Sequence, residues 1–520
     1  MTKNFRRFLF NGLLLTAVSL AMRAIGVSFN AYISNEIGAE AMGLFTLIST
    51  VYGFAITFAT SAVSFATTRI VSGVLGVVGD NGIDTNSTRT PLVRAVVKKS
   101  VLYSLFFSTL STVILFFGAG FIGNSILRDT RTILSLKLFA ITLIPLSITS
   151  ALSGYFTAVR RIYKNAINQI SAQLIRIFVC IALINAFFAF DVESSCLCIV
   201  IGGVVSELLS FVIALLFYIL EKKENGNIDQ KESKLISHKL RSTALPMAFS
   251  AYVRSALLTI EHILIPRGLE SSGATREKSL AAYGTVHSMV FPIVFFPSAI
   301  LSSFASLLIP EVARANNNAK DKRVVAIIGN VFDTALTYAI GTAGIMMFFA
   351  FELGDVIYPA TDAGQYIRMI APLIPVMYLD TATDALLKGL GEQVYTMGVN
   401  IVDSFLSVIL VIVLLPRLGI VGYIVTVYFT ELINAALSIS RLLCISGARP
   451  SVKNIIVKPL ICIILSAYIS RFISEMFSFS SPSSAFSLIF NITITVGLYV
   501  ALVVFAKGIK ISKKSKKLLQ

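Results

Sequence analysis

The chain has 520 residues, 56% of them hydrophobic and only 14% charged, and carries a net charge of +17. With a mean hydropathy of +0.82 it holds more apolar surface than a soluble chain of this length encloses, which excludes an ordinary soluble enzyme and requires a polytopic membrane protein. Its five cysteines (Cys180, Cys196, Cys198, Cys444, Cys462) lie in or beside apolar runs with no CxxC pair and read as small hydrophobes.

The first apolar run, Gly12 to Glu40, is long enough to cross a bilayer yet places Arg23 near its middle. A hydrocarbon core takes ~20 helical residues to span, and a charge at that depth costs at least ~2.5 kcal/mol, so such a side chain snorkels, pairs internally or lines a wet cavity. The run continues without a small-residue cleavage site and reads as a retained signal anchor. Fourteen runs of spanning length follow in order, at about 11–33, 43–66, 95–119, 136–157, 169–189, 196–220, 243–265, 280–309, 325–350, 366–387, 394–415, 418–443, 454–475 and 485–506.

Alternate connections sort the basic residues: thirty-two Lys and Arg fall on the side of the N-terminus and nine on the other, with Arg23, Arg176 and Arg254 inside helices. The positive-inside rule puts both termini in the cytoplasm of a multi-pass plasma-membrane protein. The lysine-rich tail from Lys507 to Lys517 then reads as a cytoplasmic end near anionic headgroups, so no nucleic-acid partner is expected. There is no Trp, and Tyr32, Tyr103, Tyr163 and Tyr218 serve as interfacial anchors. The longest connections, 69–94 and 221–242, are shorter than the ~40 residues a catalytic domain needs as a minimum.

The halves resemble each other. "AMRAIGVSFNAYISNEIGAEAMG" aligns with "YVRSALLTIEHILIPRGLE" and a longer loop, setting Arg23 opposite Arg254; Ile144-Pro145 falls opposite Ile374-Pro375, and Gly154 opposite Gly389. An offset of about 230 to 241 residues makes two parallel copies. The expectation is an all-α integral membrane fold of fourteen helices: a six-helix bundle over 1–220, a cytoplasmic linker at 221–242, a second bundle over 243–445, and two further helices with a basic tail at 446–520.

The segments "FNGLLLTAVSLAMRAIGVSFNAYISNEIGAEAMGLFTLISTVYGFAITFATSAVSFATTRIV", "SGYFTAVRRIYKNAINQISAQLIRI", "LLKGLGEQVYTMGVNIVDS" and "LLPRLGIVGYIVTVYFTELINAALS" carry a resemblance to a known family. The chain resembles the polysaccharide-transport branch of the multidrug/oligosaccharidyl-lipid/polysaccharide exporter superfamily, and is similar to stage V sporulation protein B-like and lipid II flippase-like proteins. The resemblance implies alternating-access transport of an undecaprenyl-type lipid-linked sugar. Arg23 and Gly26 match the family's first-helix pattern. Phe29 and Asn30 stand where lipid II flippases carry a second arginine and an acid, and "VYGFAITF" lacks their second-helix arginine, so lipid II itself is not implied.

Arg23 and Arg254 are accordingly the expected diphosphate-binding residues, since guanidinium forks pair bidentately with phosphate oxygens. The competing assignment is internal: an Arg254–Glu261 pair, or contact with backbone carbonyls. Arg176, nearer a helix end, reads as snorkelling. Glu261, His262 and His287 are candidates for proton or monovalent-cation coupling, against histidines bonded to neighbouring helices. Asp380, Asp384 and Lys388 recur at i, i+4, i+8 and form either a polar cavity stripe or a charge ladder. Asp333, Asp403 and Glu431 fit cation coordination or structural pairing. Gly26, Gly154, Gly389 and Gly391 suit close helix approach or bending, and Pro145, Pro292, Pro297 and Pro375 hinge points. "GVLGVVGDNG" at 73–82 lacks the preceding strand and GK[ST] of a nucleotide loop, and nothing resembles a hydrolytic triad or zinc site, so neither enzyme activity, cofactor nor metal is expected.

These readings converge on a secondary transporter of a lipid-linked oligosaccharide or polysaccharide precursor. The competing classes are a cation-coupled multidrug or metabolite exporter of the same fold, a membrane-embedded glycosyltransferase or polymerase, and a structural protein of the spore envelope.

Overall fold

The computed structural model describes residues 3–80, 90–186, 191–221, 230–303, 312, 322–359, 361–448, 452–476 and 485–518. Part of the expected linker (222–229), part of the eighth expected crossing (304–311) and the side chains of the lysine-rich tail lie outside the described residues. The chain forms α1 (Lys3–Thr60), α2 (Val63–Asp80), α3 (Pro91–Phe121), α4 (Thr132–Ala158), α5 (Ile162–Ala186), α6 (Val192–Ile219), α7 (Gln230–Ser271), α8 (Arg276–Gly284) and α9 (Phe291–Phe295). There follow α10 (Lys322–Phe348), α11 (Ala350–Ile357), α12 (Ala363–Ile370), α13 (Ile374–Gly389), α14 (Gln393–Leu418), α15 (Ile420–Ser446), α16 (Val452–Met476) and α17 (Ala485–Leu518). Single π-helical turns occupy Ile122–Leu127 and Thr285–Val290, and no strand occurs among the described residues.

Twelve described helices are long and apolar enough to cross a membrane, by length and composition. The sequence reading counts fourteen, and the difference has two local causes. One helical stretch, Ala21–Leu75, covers the first two expected crossings. The eighth expected crossing runs through α8, the π turn and α9 and breaks at Phe296–Pro297, and part of it lies outside the described residues; proline removes a helix donor and crowds the preceding turn.

Two compact units result: Glu40–Arg267, and Met1–Ala39 with Gly268–Gln520. Their boundaries fall elsewhere than the chain-order division at 220 and 243. The first leaves α1 beside Gly38, whose φ of 81° and ψ of 168° interrupt the helix. The second falls inside α7 after Pro266.

Within Glu40–Arg267, small residues let helices approach closely, as expected where lipid offers no hydrophobic drive for helix association. Ser100, Ser104, Ser108 and Ser111 form a buried row on α3, and Ser111 Oγ donates to the Ala55 carbonyl at 2.9 Å. A Cβ on Gly154 would lie 2.4 Å from the Ser64 carbonyl oxygen, so that contact between α4 and α2 requires glycine. The start of α7 packs here too: Ile236 joins Val93, Leu152 and Phe156, while Leu240 and Ala244 pack with Ala66. Glu221, after α6, accepts hydrogen bonds from Tyr155, from Arg161 Nη1 at 2.7 Å and from Lys164 Nζ at 2.6 Å. The Lys164 ammonium also lies 5.1 and 5.5 Å from the ring centres of Phe156 and Phe217.

Within the other unit, α14 packs on α15, and α10 on α13 and α16. A Cβ on Gly341 or Gly344 would strike Tyr499 or Ile463, so the two C-terminal helices seat against glycines of α10. Glu392, between α13 and α14, accepts from Arg441 Nη2 at 3.0 Å, and that guanidinium lies 5.1 Å from the Tyr395 ring.

One helix end recurs in both halves. Arg160 (φ 58°) follows α4 and Gly391 (φ 88°) follows α13; the next residues, Arg161 and Glu392, each donate their N–H 2.9 Å back to a carbonyl, of Phe156 and Leu387 respectively. This left-handed termination satisfies carbonyls that a helix end otherwise orphans.

Candidate functional site

Helix eight, the segment formed by α8, the π turn and α9, stops at Phe295 and resumes after Pro297. Such an interruption leaves main-chain oxygens without helical donors, and inside a membrane those oxygens must find partners within the protein. Three helices supply side-chain donors, although the Pro297 carbonyl also accepts from Ile300 N–H at 3.2 Å. Tyr378 Oη on α13 donates to the Val294 carbonyl at 2.6 Å, Tyr338 Oη on α10 to the Pro297 carbonyl at 2.8 Å, and Arg23 Nη1 on α1 to the Phe295 carbonyl at 3.3 Å. Ser298 Oγ donates to the same Phe295 carbonyl at 2.7 Å and accepts from Arg23 Nη1 at 3.3 Å. The Tyr338 and Tyr378 rings stack with centroids 6.2 Å apart. Further along α1, Asn30 donates to the Ser288 carbonyl in the π turn, and Asn35 to the Ile357 carbonyl at 2.9 Å.

Arg23 therefore contacts backbone carbonyl, the alternative weighed from sequence, and among the described residues no carboxylate pairs with it. The side chain remains exposed. Beside it, Ala24, Val27, Phe296, Tyr338, Val496 and Tyr499 help line a cavity of about 630 Å³ bounded by α1, helix eight, α10, α11 and α17. The cavity is almost wholly apolar. All these residues belong to the unit of Met1–Ala39 and Gly268–Gln520.

Arg254 lies in the other unit, on α7. It is exposed and has no hydrogen-bond or ion-pair partner among the described residues, so the Arg254–Glu261 pair does not form. Glu261 is buried and shares that unit with His262, whereas His287 belongs to the unit of Arg23. His287 sits among the rings of Tyr283, Phe291 and Tyr423, with centroids 4.7, 5.1 and 5.3 Å away.

Asp380 and Asp384 gain company the sequence does not show. Asp380 senses the charges of Asp384, Asp403 and Lys388, and Glu431 those of Asp380, Asp403 and Asp384, so acids from α13, α14 and α15 share one electrostatic neighbourhood. Lys388 pairs with Asp384 at 3.4 Å, the expected ladder contact. Arg176 corrects the snorkelling assignment: its Nε is buried, and its charge acts on Glu207 of α6 and on Tyr52. No group of three or more His, Cys, Asp or Glu has metal-holding geometry among the described residues. Sequence reasoning missed Ser298, Tyr338 and Tyr378; the only signal was the paired prolines of "FPIVFFPS", which mark the break but not its partners.

These features define a multi-pass helical membrane protein of the MATE and MurJ architecture. In fold the chain is similar to the lipid II flippase MurJ in an inward closed conformation, with a TM-score of 0.64 and 13% identity over 96% of this chain and 99% of that one. It is also similar to a multidrug resistance MATE family transporter of the MOP superfamily in an inward-facing conformation, with a TM-score of 0.62 and 13% identity over 83% and 98% of the two chains. The profile of the polysaccharide biosynthesis protein family matches residues 8–315, and the chain belongs to that family. Stage V sporulation protein B of Bacillus subtilis (strain 168) is 24% identical over 519 residues, covering 97% of this chain and 96% of that protein. The resemblance read from the sequence is thereby borne out.

Proposed function

We propose that this protein is a secondary transporter that flips a lipid-linked oligosaccharide or polysaccharide precursor across the cytoplasmic membrane by alternating access. In this reading the chain crosses fourteen times with both termini cytoplasmic, and the chemistry is translocation without bond making. The observation that carries it is Arg23, an exposed guanidinium with no acidic partner among the described residues, beside a large apolar cavity. A diphosphate between a sugar and an undecaprenyl-type chain has matching chemistry: oxygens for a guanidinium fork and a hydrocarbon for apolar walls. Arg254, also exposed and without such a partner, is a further candidate for phosphate contact in its own unit. Membership of the polysaccharide biosynthesis family and the likeness to a lipid II flippase support the same substrate class. The acids Asp380, Asp384, Asp403 and Glu431 favour coupling to protons or a monovalent cation; they are also what a cation-coupled exporter of the same fold would use, which makes that the second reading. Glu261, His262 and His287 are further coupling candidates.

A lipid-linked-oligosaccharide protection assay in inverted vesicles tests this. Arg23→Ala and Arg254→Ala should each slow translocation about tenfold or more, the loss of one charge-assisted contact. Unchanged translocation in both overturns the assignment.

A further inference from the structure

The break in helix eight gathers the Val294, Phe295 and Pro297 carbonyls with Ser298 Oγ and the hydroxyls of Tyr338 and Tyr378. All are neutral oxygens, but the Pro297 carbonyl already accepts from Ile300 N–H and Tyr338 Oη, and the Phe295 carbonyl from Ser298 Oγ and Arg23 Nη1. The positions a second cation can take are therefore those Arg23 now holds. A positive charge already sits among them: the Arg23 guanidinium, on Phe295 O and Ser298 Oγ, with no carboxylate to balance it among the described residues. What holds that charge is therefore two neutral oxygens, Phe295 O and Ser298 Oγ. Both contacts are 3.3 Å long and the side chain is exposed, so the guanidinium is loosely held and free to leave. Once it leaves, the Phe295 carbonyl and Ser298 Oγ each lose the one cation they hold.

We propose that the break in helix eight is a site for a monovalent cation, sodium or potassium, which competes with the Arg23 guanidinium for the Phe295 carbonyl and Ser298 Oγ. Hard monovalent cations take main-chain carbonyls and hydroxyls as ligands, and interrupted membrane helices are where such carbonyls come free. A divalent ion is disfavoured because the set contains no carboxylate to offset its dehydration. Arg23 then acts as a tethered ion: bound to the break it excludes the cation, and drawn off by an anion it admits one. Only that last consequence rests on the phosphate-binding reading; the cation site itself does not.

The test uses the full chain purified in detergent, with thermal unfolding followed against NaCl or KCl at ionic strength held constant by choline chloride. The wild-type protein, with Arg23 on the break, should show no shift from this site, and its response sets the baseline for any cation held by Asp380, Asp384, Asp403 and Glu431, above which the variant is read. Arg23→Gln should show a saturable rise in Tm with one of the two cations, in the manner of a ligand that binds only the folded state. Adding Ser298→Ala to that variant should raise the half-saturating concentration about tenfold, the loss of one oxygen ligand to a charge. Arg23→Lys, which keeps a tethered cation, should behave as wild type. The proposal is overturned if Arg23→Gln responds to sodium and potassium as it does to choline, or if Arg23→Lys responds as Arg23→Gln does. Arg23→Met is the replacement should the glutamine variant not fold. Binding of radioactive sodium to the wild-type protein, with and without inorganic diphosphate, gives an independent measurement. If it stays at background in both conditions and neither variant folds, the proposal falls. Cation binding by Arg23→Gln without a diphosphate effect on wild type keeps the site and removes the phosphate role of Arg23; translocation that depends on Arg23 without cation binding does the reverse.

Discussion

Glu221 shows how much a single carboxylate can organise. Its side chain is 3% exposed and faces Tyr155, Arg161 and Lys164. Burial by itself would raise its carboxyl pKa, but the hydrogen bonds from Lys164 and Tyr155, followed by the charges of Lys164 and Arg161, outweigh it and hold the group below its usual 4.5. A depressed folded-state value means the stabilisation is complete above 4.5 and fades as pH falls through the lower folded value. Wild-type Tm in detergent should therefore drop as pH is taken below 4.5, and Glu221→Gln should be flat across that window. The variant should also be less stable near neutrality by about 3 kcal/mol, because Lys164 is left buried without its acid. None of this is legible in the sequence. Arg161 and Lys164 read there as topology markers, and no spacing rule ties them to an acid just past the end of the next helix, α6.

At the scale of elements, the shared end of α4 and α13 sets up a paired experiment. Gly391 has φ 88° and Arg160 φ 58°, a region where a side chain is strained and glycine is not. Gly391→Ala should destabilise the protein by about 1 kcal/mol and Arg160→Gly should stabilise it by up to about 1 kcal/mol, both read by thermal unfolding. Opposite signs at equivalent places would show that both halves use the same turn. The sequence gives the positions of most helices, since an apolar run of fixed length suffices to recognise a crossing. It places Gly154 and the prolines of helix eight correctly as special. It does not reveal which helix each one meets: Gly26, expected at a close approach, has nothing within 4 Å of its would-be Cβ, while Gly341 and Gly344, unremarked, seat α17 and α16.

For the whole molecule, one compact unit is the continuous stretch Glu40–Arg267 and the other joins α1 up to Ala39 to Gly268–Gln520, so neither follows the hydropathy runs in simple order. The first unit in sequence retains the start of α7 through Ile236, Leu240 and Ala244, and the second retains α1 up to Ala39. Apolar segments carry no address in their composition, so this exchange is invisible to a division by hydropathy or by repeat. It predicts the behaviour of a split chain. Residues 1–225 and 226–520 produced together should copurify through detergent washes, since each fragment holds a helix that completes the other's unit. Halves that folded as separate six-helix bundles would come apart in the same purification.

The two turn clamps hold a consequence for how the halves have diverged. In the first half the turn after α4 presents a base, Arg161, to an acid, Glu221; in the second the turn after α13 presents an acid, Glu392, to a base, Arg441. The geometry is shared and the polarity inverted. Copying either turn over its counterpart would set Glu against Glu221 or Arg against Arg441, so the two turns share a backbone but cannot exchange their side chains.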